Sequence, residues 1–131
     1  MTALAHDRCG SGEPLVLIHG IGSQRQVWGP VMDRLTPQRE VVALDLPGFG
    51  DSPVAPDAEL TPAGHARYVA ALLDELGLKR PHVAGNSLGG GVALELARMG
   101  RARSATGLSP VGFWTERERA YSEAVLRTTF V

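Results

Sequence analysis

A serine stands between two glycines at a spacing that suits nucleophilic chemistry: Gly85, Ser87 and Gly89. A short apolar run (81–84) precedes this pattern, and an apolar run with helical spacing (92–99) follows it. A sharp turn between a strand and a helix strains its central residue, and only glycine fits two positions to either side. The sequence therefore predicts that Ser87 is a nucleophile raised on such a turn, rather than part of a glycine-rich packing turn.

Two further groups of polar and turn residues follow apolar runs. His19, Gly20 and Ile21 come directly after residues 15–18, and Asp45 comes after residues 41–44. Apolar runs without alternation are typical of strands buried on both faces, as in a parallel sheet. The carboxyl ends of parallel strands meet at one edge of a sheet, where ligands bind. We therefore expect these residues and Ser87 to lie at the same edge.

The segments between these runs have helical spacing and helix start or stop residues. Thr61 and Pro62 form an N-cap and first-turn pair, and Gly77 and Gly100 are helix stops. Alternating strands and helices predict an α/β fold, a doubly wound and mostly parallel sheet with helices on both faces. The predicted strands are 15–18, 41–44, 82–84 and 104–108, and the helices begin near Pro30, at Pro62, after Ser87 and at Thr115.

Three motifs in this order resemble the N-terminal part of the α/β-hydrolase family, in its serine-nucleophile form. They are the sequences HGIG at 19–22, DLPGFGDS at 45–52 and GNSLG at 85–89. Together with the order of strands and helices, the resemblance covers residues from about 15 to 110. It implies a hydrolase that acts on small-molecule acyl substrates such as esters, lactones or thioesters, without a cofactor or a metal ion.

The resemblance also implies roles for individual residues. Ser87 would be the nucleophile, and the backbone N–H groups of Leu88 and Ile21 would form the oxyanion hole. Each such donor stabilises a tetrahedral intermediate by about 3 kcal/mol. Supporting roles in the oxyanion loop and in the turn would fall to His19, Gly20, Gly85 and Gly89.

His19 and Asp45 are poor candidates for a catalytic base and acid. The family order is serine, then acid, then histidine, and both residues precede Ser87. Asp45 is instead expected to accept hydrogen bonds from its own tight turn. A competing interpretation is a dinucleotide-binding module, with Gly20 and Gly22 before a helix and Asp45 on the ribose. Arg25 stands where that motif needs a third glycine, and the serine turn is left unexplained.

The sequence lacks the partners that Ser87 would need. No histidine follows it, and the only later acids are Glu95, Glu116, Glu118 and Glu123. Loss of the base costs about a million-fold in kcat. The chain is thus expected to be a truncated α/β-hydrolase fold and a weak catalyst alone, with residues 113–131 starting a lid segment. A catalytically inactive hydrolase-fold or binding protein remains the alternative.

The bulk properties predict one domain over all 131 residues. A net charge of −1 provides no basic surface for nucleic acid or an anionic membrane. The sole cysteine, Cys9, is expected in a loop and suits the cytoplasm. No apolar run reaches the roughly 18 residues of a membrane span. The strand 104–108 would leave an unpaired sheet edge, which predicts self-association or a partner chain that completes the sheet.

Overall fold

A five-stranded sheet in the order β1-β3-β2-β4-β5 forms the centre of the molecule. The structure is a computed structural model and describes residues 3–129. Strands β2 to β5 are parallel, and β1 pairs antiparallel with β3. The strands are β1 His6–Cys9, β2 Glu13–Ile18, β3 Arg39–Leu44, β4 His82–Asn86 and β5 Ser104–Leu108. The helices are α1 Gly29–Leu35, α2 Pro62–Glu75, α3 Leu88–Arg98 and α4 Glu116–Thr129, and a 3-10 turn, Arg25–Trp28, precedes α1.

Successive strand residues face opposite sides of the sheet, and each side is covered by helices. Val16 and Ile18 of β2 belong to the larger core, which α2 and α3 cover with residues such as Leu73 and Leu96. Leu17, between them, belongs to a smaller core on the other side, against which Met32 of α1 packs. The predicted α/β sheet with helices on both faces is confirmed.

Strand β1 is absent from the sequence prediction. Cys9, expected in a loop, ends this strand opposite Val41, and its thiol is exposed. The strand has the sequence HDRC and no buried residue, so it lacks the apolar run that marks a central strand. Polar and charged residues are common on edge strands because they discourage further pairing.

Helix α4 lies outside both cores. Its start is a capping box, in which Thr115 Oγ accepts the Glu118 N–H at 3.2 Å and Glu118 Oε2 accepts the Thr115 N–H at 2.7 Å. None of the α4 residues that the structure describes is buried. Residues 113–131, which the sequence predicts to start a lid segment, therefore contain a separate helix, Glu116–Thr129. Residues 130 and 131 lie outside the described residues. Among the described helices, none combines the length and the apolar character needed to cross a membrane.

Candidate active site

Ser87 has a backbone conformation that is rare for any residue except glycine. Its φ is 54° and its ψ is −114°, at the junction between β4 and α3. Such conformations cost about 1–3 kcal/mol and persist only where the surroundings hold them. The Ser87 N–H donates to the Leu108 carbonyl at 3.0 Å, and the Ser87 carbonyl accepts the N–H groups of Gly91 and Val111, each at 3.1 Å. The end of β5 and the first turn of α3 thus hold the strained residue.

Glycine is required on both sides of this turn. A Cβ atom at Gly85 would lie 2.0 Å from the carbonyl oxygen of Gly89. A Cβ atom at Gly89 would lie 2.1 Å from the carbonyl oxygen of Ile18. Because both contacts are with backbone atoms, no side-chain movement can relieve them. The structure therefore explains why glycine stands two positions to either side of Ser87: a side chain at either position would clash with the backbone.

The loop after β2 approaches Ser87 closely. A Cβ atom at Gly20 would lie 3.3 Å from the Ser87 Cβ and 3.2 Å from the Asn86 carbonyl oxygen. Ile21, the next residue, lines the same cavity as Ser87. Leu88 is the first residue of α3, where backbone N–H groups have no acceptor within the helix. The two residues proposed as oxyanion donors therefore lie near the serine, and their role as donors stays a prediction.

His19 is fully buried and has both ring nitrogens engaged. Its Nδ1 lies 2.7 Å from the Gly20 carbonyl, and its Nε2 lies 3.0 Å from the Leu46 N–H. A carbonyl only accepts and an N–H only donates, so the ring is neutral with its proton on Nδ1. Burial lowers the pKa of His19 despite the opposing hydrogen bond to Gly20. His19 therefore ties two loops together and has no nitrogen free to act as a base.

Asp45 is also fully buried and joins three segments. Its carboxylate accepts the N–H groups of Arg25 at 2.6 Å and Asp51 at 2.9 Å, and it pairs with the Arg25 guanidinium. Although burial raises the pKa of Asp45, these hydrogen bonds and the guanidinium outweigh it and hold the pKa below its usual range. The carboxylate thus has the structural role expected of it and is not free to bind a ribose. Its link to Arg25 is a contact that no sequence motif indicated.

The other histidines lie away from Ser87. His65 is buried in α2, with its Nδ1 unpartnered among the described residues, and its ring lies 6.5 Å from that of Phe49. His6 contacts the Leu4 carbonyl, and His82 begins β4 at the opposite end of the sheet. Within residues 3–129, no histidine side chain forms a hydrogen bond with Ser87.

A cavity of about 250 Å³ lies beside Ser87, and we call it the Ser87 cavity. A larger space of about 660 Å³ lies between the loops at 22–27 and 48–50 and does not include Ser87. No sequence motif indicated that Ser122 or Leu126 would line this cavity. The spacing 121, 122, 125 and 126 on one helix was the available signal. The cavity is lined by Ile21, Ser87, Val111, Trp114, Tyr121, Ser122, Val125 and Leu126.

The strained serine, its glycines and the parallel sheet agree with a comparison to protein families. A family model described as the alpha/beta hydrolase fold matches residues 13–128. The chain belongs to this family. The resemblance drawn from the three motifs is therefore confirmed.

Several proteins of known name are similar to this chain. It is 42% identical over 117 residues to the dihydrolipoyllysine-residue acetyltransferase component of the acetoin cleaving system of Cupriavidus necator, covering 87% of this chain and 31% of that protein. It is 43% identical over 91 residues to the pimeloyl-[acyl-carrier protein] methyl ester esterase of Aeromonas hydrophila, covering 70% and 34%. A thermophilic esterase from Thermogutta terrifontis superposes with a TM-score of 0.79 at 29% identity, covering 95% and 47%. The α/β hydrolase described here thus spans about a third of these curated relatives and about half of that solved structure.

Proposed function

We propose that this chain supplies the nucleophile and the oxyanion hole of a hydrolase that acts on esters, lactones or thioesters. The observation that carries the proposal is the positive φ of Ser87 between two glycines that leave no space for a Cβ atom. Such a turn exposes the serine hydroxyl at the carboxyl edge of the sheet, beside a cavity that can hold a substrate. Two similar proteins named as esterases support the same class of reaction.

In this reaction the Ser87 Oγ forms a bond with the acyl carbon, and the carbonyl oxygen gains negative charge. The backbone N–H groups of Leu88 and Ile21 would donate to that oxygen, and the amino end of α3 favours the charge. The leaving group then departs with its electron pair, and water later releases the acyl group from Ser87. The serine proton needs a base, which we place outside this chain, together with its acid partner. The relatives have room for both, since this chain covers about a third of their length.

A catalytically inactive hydrolase-fold or binding protein is the second candidate. The observation that favours it is that no histidine within residues 3–129 reaches Ser87. The chain would then keep the cavity beside Ser87 without turnover, and Ser87 would show no more reactivity than an ordinary serine.

Fluorophosphonate labelling, scored by mass, separates these candidates. We expect one adduct on Ser87, which is lost in Ser87→Ala. Ser109 provides a matched control, since it also has a positive φ, 48°, but precedes a proline that has no N–H to donate. Arg98 and Arg103 lie between the two serines, so tryptic peptides distinguish them. An unlabelled Ser87, or equal labelling of Ser109, would overturn the proposal.

We also place this activity in the cytoplasm. Cys9 is the only cysteine in the sequence, and its thiol is exposed and free. A free exposed thiol suits a reducing compartment. Recovery of the native protein from a secreted fraction would contradict this placement.

A further inference from the structure

We propose that the Ser87 cavity binds an uncharged hydrocarbon chain of up to about ten carbon atoms, held between the sheet edge and α4. The interpretation of this hydrocarbon as the acyl group of a substrate rests on the function proposed for Ser87. Binding of the hydrocarbon itself does not require a reaction.

The walls of the cavity come from two sides. Ile21 and Val111 belong to loops at the carboxyl edge of the sheet, on either side of Ser87. Tyr121, Ser122, Val125 and Leu126 come from α4, where positions four apart lie on the same side of a helix. The helix therefore presents one continuous stripe to the cavity.

The lining determines the chemical class of the ligand. None of the described residues that line the cavity is charged, and apart from Ser87, Ser122 and the Tyr121 hydroxyl the side chains are apolar or aromatic. A charged group in this space would lose water without gaining a partner, which costs far more than an apolar chain gains. An uncharged hydrocarbon chain is therefore the ligand that fits.

The volume sets the length of the chain. A cavity of about 150 Å³ in another protein holds benzene, which has six carbon atoms. In proportion, the volume of about 250 Å³ holds roughly ten carbon atoms. This is below the range of about 300–1,000 Å³ that is usual for drug-sized ligands. Longer hydrocarbon chains would extend beyond the residues that line the cavity.

Helix α4 has apolar surface that such a chain would cover. Tyr121 is 72% exposed, Val125 is 43% exposed and Leu126 is 36% exposed. Because no described α4 residue is buried, the helix has little apolar contact of its own with the core. A bound chain would add that contact on the side that faces Ser87.

Trp114 provides a direct test, because it lines the cavity and only one other tryptophan, Trp28, is present. In a Trp28→Phe variant of the full chain, emission from Trp114 is followed during titration with unbranched methyl ketones of four to twelve carbons. We expect the Kd to fall by up to about fourfold per added methylene. The decrease should stop at about ten carbons, where the cavity is full.

Two phenylalanine variants locate the binding site. Val125→Phe fills part of the cavity and should shorten the chain length at which the Kd stops falling by up to about four carbons, at about 25 Å³ per carbon. Ala124→Phe, on the neighbouring exposed position outside the cavity, should leave that length unchanged. Equal behaviour of the two variants, or a Kd that does not depend on chain length, would overturn the proposal. So would an emission change that follows protein concentration instead, because a second copy would then cover α4.

The same titration in Ser87→Ala separates this proposal from the proposed function. Chain-length dependence that survives in this variant supports the cavity even where Ser87 resists fluorophosphonate. If Ser87 is labelled but the Kd does not depend on chain length, the cavity proposal is overturned and the proposed function is not.

Discussion

Each end of the sheet carries a serine with part of the arrangement that a serine hydrolase uses. At the carboxyl end, Ser87 has the strained turn but no histidine partner among the described residues. At the amino end, Ser104 Oγ lies 2.6 Å from His82 Nδ1, and His82 Nε2 lies 3.0 Å from Glu13 Oε1. Serine, imidazole and carboxylate thus follow one another as in a catalytic triad.

The two serines differ in what positions them: strand register places Ser104, whereas a strained turn places Ser87. Ser104 lies directly opposite His82 in the parallel pairing of β4 and β5, so register alone brings these side chains together. Glu13 also binds Arg103, at 2.6 Å. The cluster therefore joins three strands, and Ser104 lies in a regular strand without the turn that raises Ser87. We interpret the amino end as a structural contact and the carboxyl end as the candidate active site.

Replacing a turn glycine should have the largest effect at the carboxyl end. In Gly89→Ala the added methyl would lie 2.1 Å from the Ile18 carbonyl oxygen, so β2 and α3 would have to separate. We expect the free energy of unfolding to fall by about 3 kcal/mol or more, at the upper end of overpacking effects.

Urea denaturation measures this loss, and Gly29→Ala is the matched control. A Cβ at Gly29 meets no atom within 4 Å, and the residue begins α1. The control should be neutral or stabilise by up to about 1 kcal/mol. Similar effects of the two substitutions would show that the turn is not tightly packed.

The two ends also differ in the burial of their carboxylates. Asp45 has a fully buried side chain and pairs with Arg25, whereas the side chain of Glu13 is 48% exposed beside Arg103. Asp45→Asn should lower the free energy of unfolding by about 2–4 kcal/mol, because it leaves the mostly buried Arg25 charge paired only with the exposed carboxylates of Asp7 and Asp51.

The corresponding change at the amino end, Glu13→Gln, should cost clearly less, since exposed ion pairs are screened by water. Thermal unfolding of both variants at the same pH provides the comparison. Equal losses of stability in the two variants would mean that the burial of Asp45 does not make its ion pair contribute more than that of Glu13.

The free energy of unfolding should depend on pH near neutrality because of two buried histidines, His19 and His65. Burial lowers the pKa of His19, and burial also lowers that of His65, with the nearby His19 adding to the effect. Below the ordinary histidine pKa, about 6.5, the unfolded chain binds protons that the folded chain refuses, so stability falls as pH falls. We expect unfolding free energies measured between about pH 8 and about pH 5 to show this slope.

Single substitutions divide the slope between the two histidines. His19→Gln and His65→Gln should each remove up to about one proton from the difference between unfolded and folded states. At the amino end, hydrogen bonds from His82 and then Arg103 lower the pKa of Glu13. Its contribution is present above the ordinary glutamate pKa and is lost as pH falls through the lowered value, so Glu13→Gln should change only the acid side. A slope near neutrality that both histidine variants retain would contradict this assignment.

The sequence predicts the four central strands and the serine turn because their signals are local. Runs such as 15–18 are uniformly apolar, and the glycines around Ser87 are required by contacts within one turn. Contacts between distant residues have no such signal. Asp45 binds Arg25, 20 residues earlier, and His82 meets Ser104, 22 residues later, only because the sheet sets their positions.

Strand β1 and the α4 side of the cavity were missed for a related reason. The strand HDRC has no apolar run, so its pairing depends on β3 being present. In α4, the helical spacing is readable, but the face that meets Ser87 depends on the loop after β5. Sequence reasoning thus predicts the elements and the turn at Ser87, while the contacts that connect elements depend on the fold.

The two edges of the sheet support a last and smaller prediction. The β1 edge carries Asp7 and Arg8, whereas β5, SATGL, has no charged residue and is the other edge among the described strands. Charged residues on an edge strand oppose pairing with another chain. We therefore expect weak self-association through β5, seen in sedimentation velocity as an average mass that rises with concentration. Thr106→Lys places a charge on exposed β5 surface and should weaken association by about tenfold, or about 1.4 kcal/mol. Gln38→Lys, an exposed loop position with the same charge change, should leave it unchanged. A mass that stays monomeric at all concentrations would show that β5 is protected by its own twist and side chains.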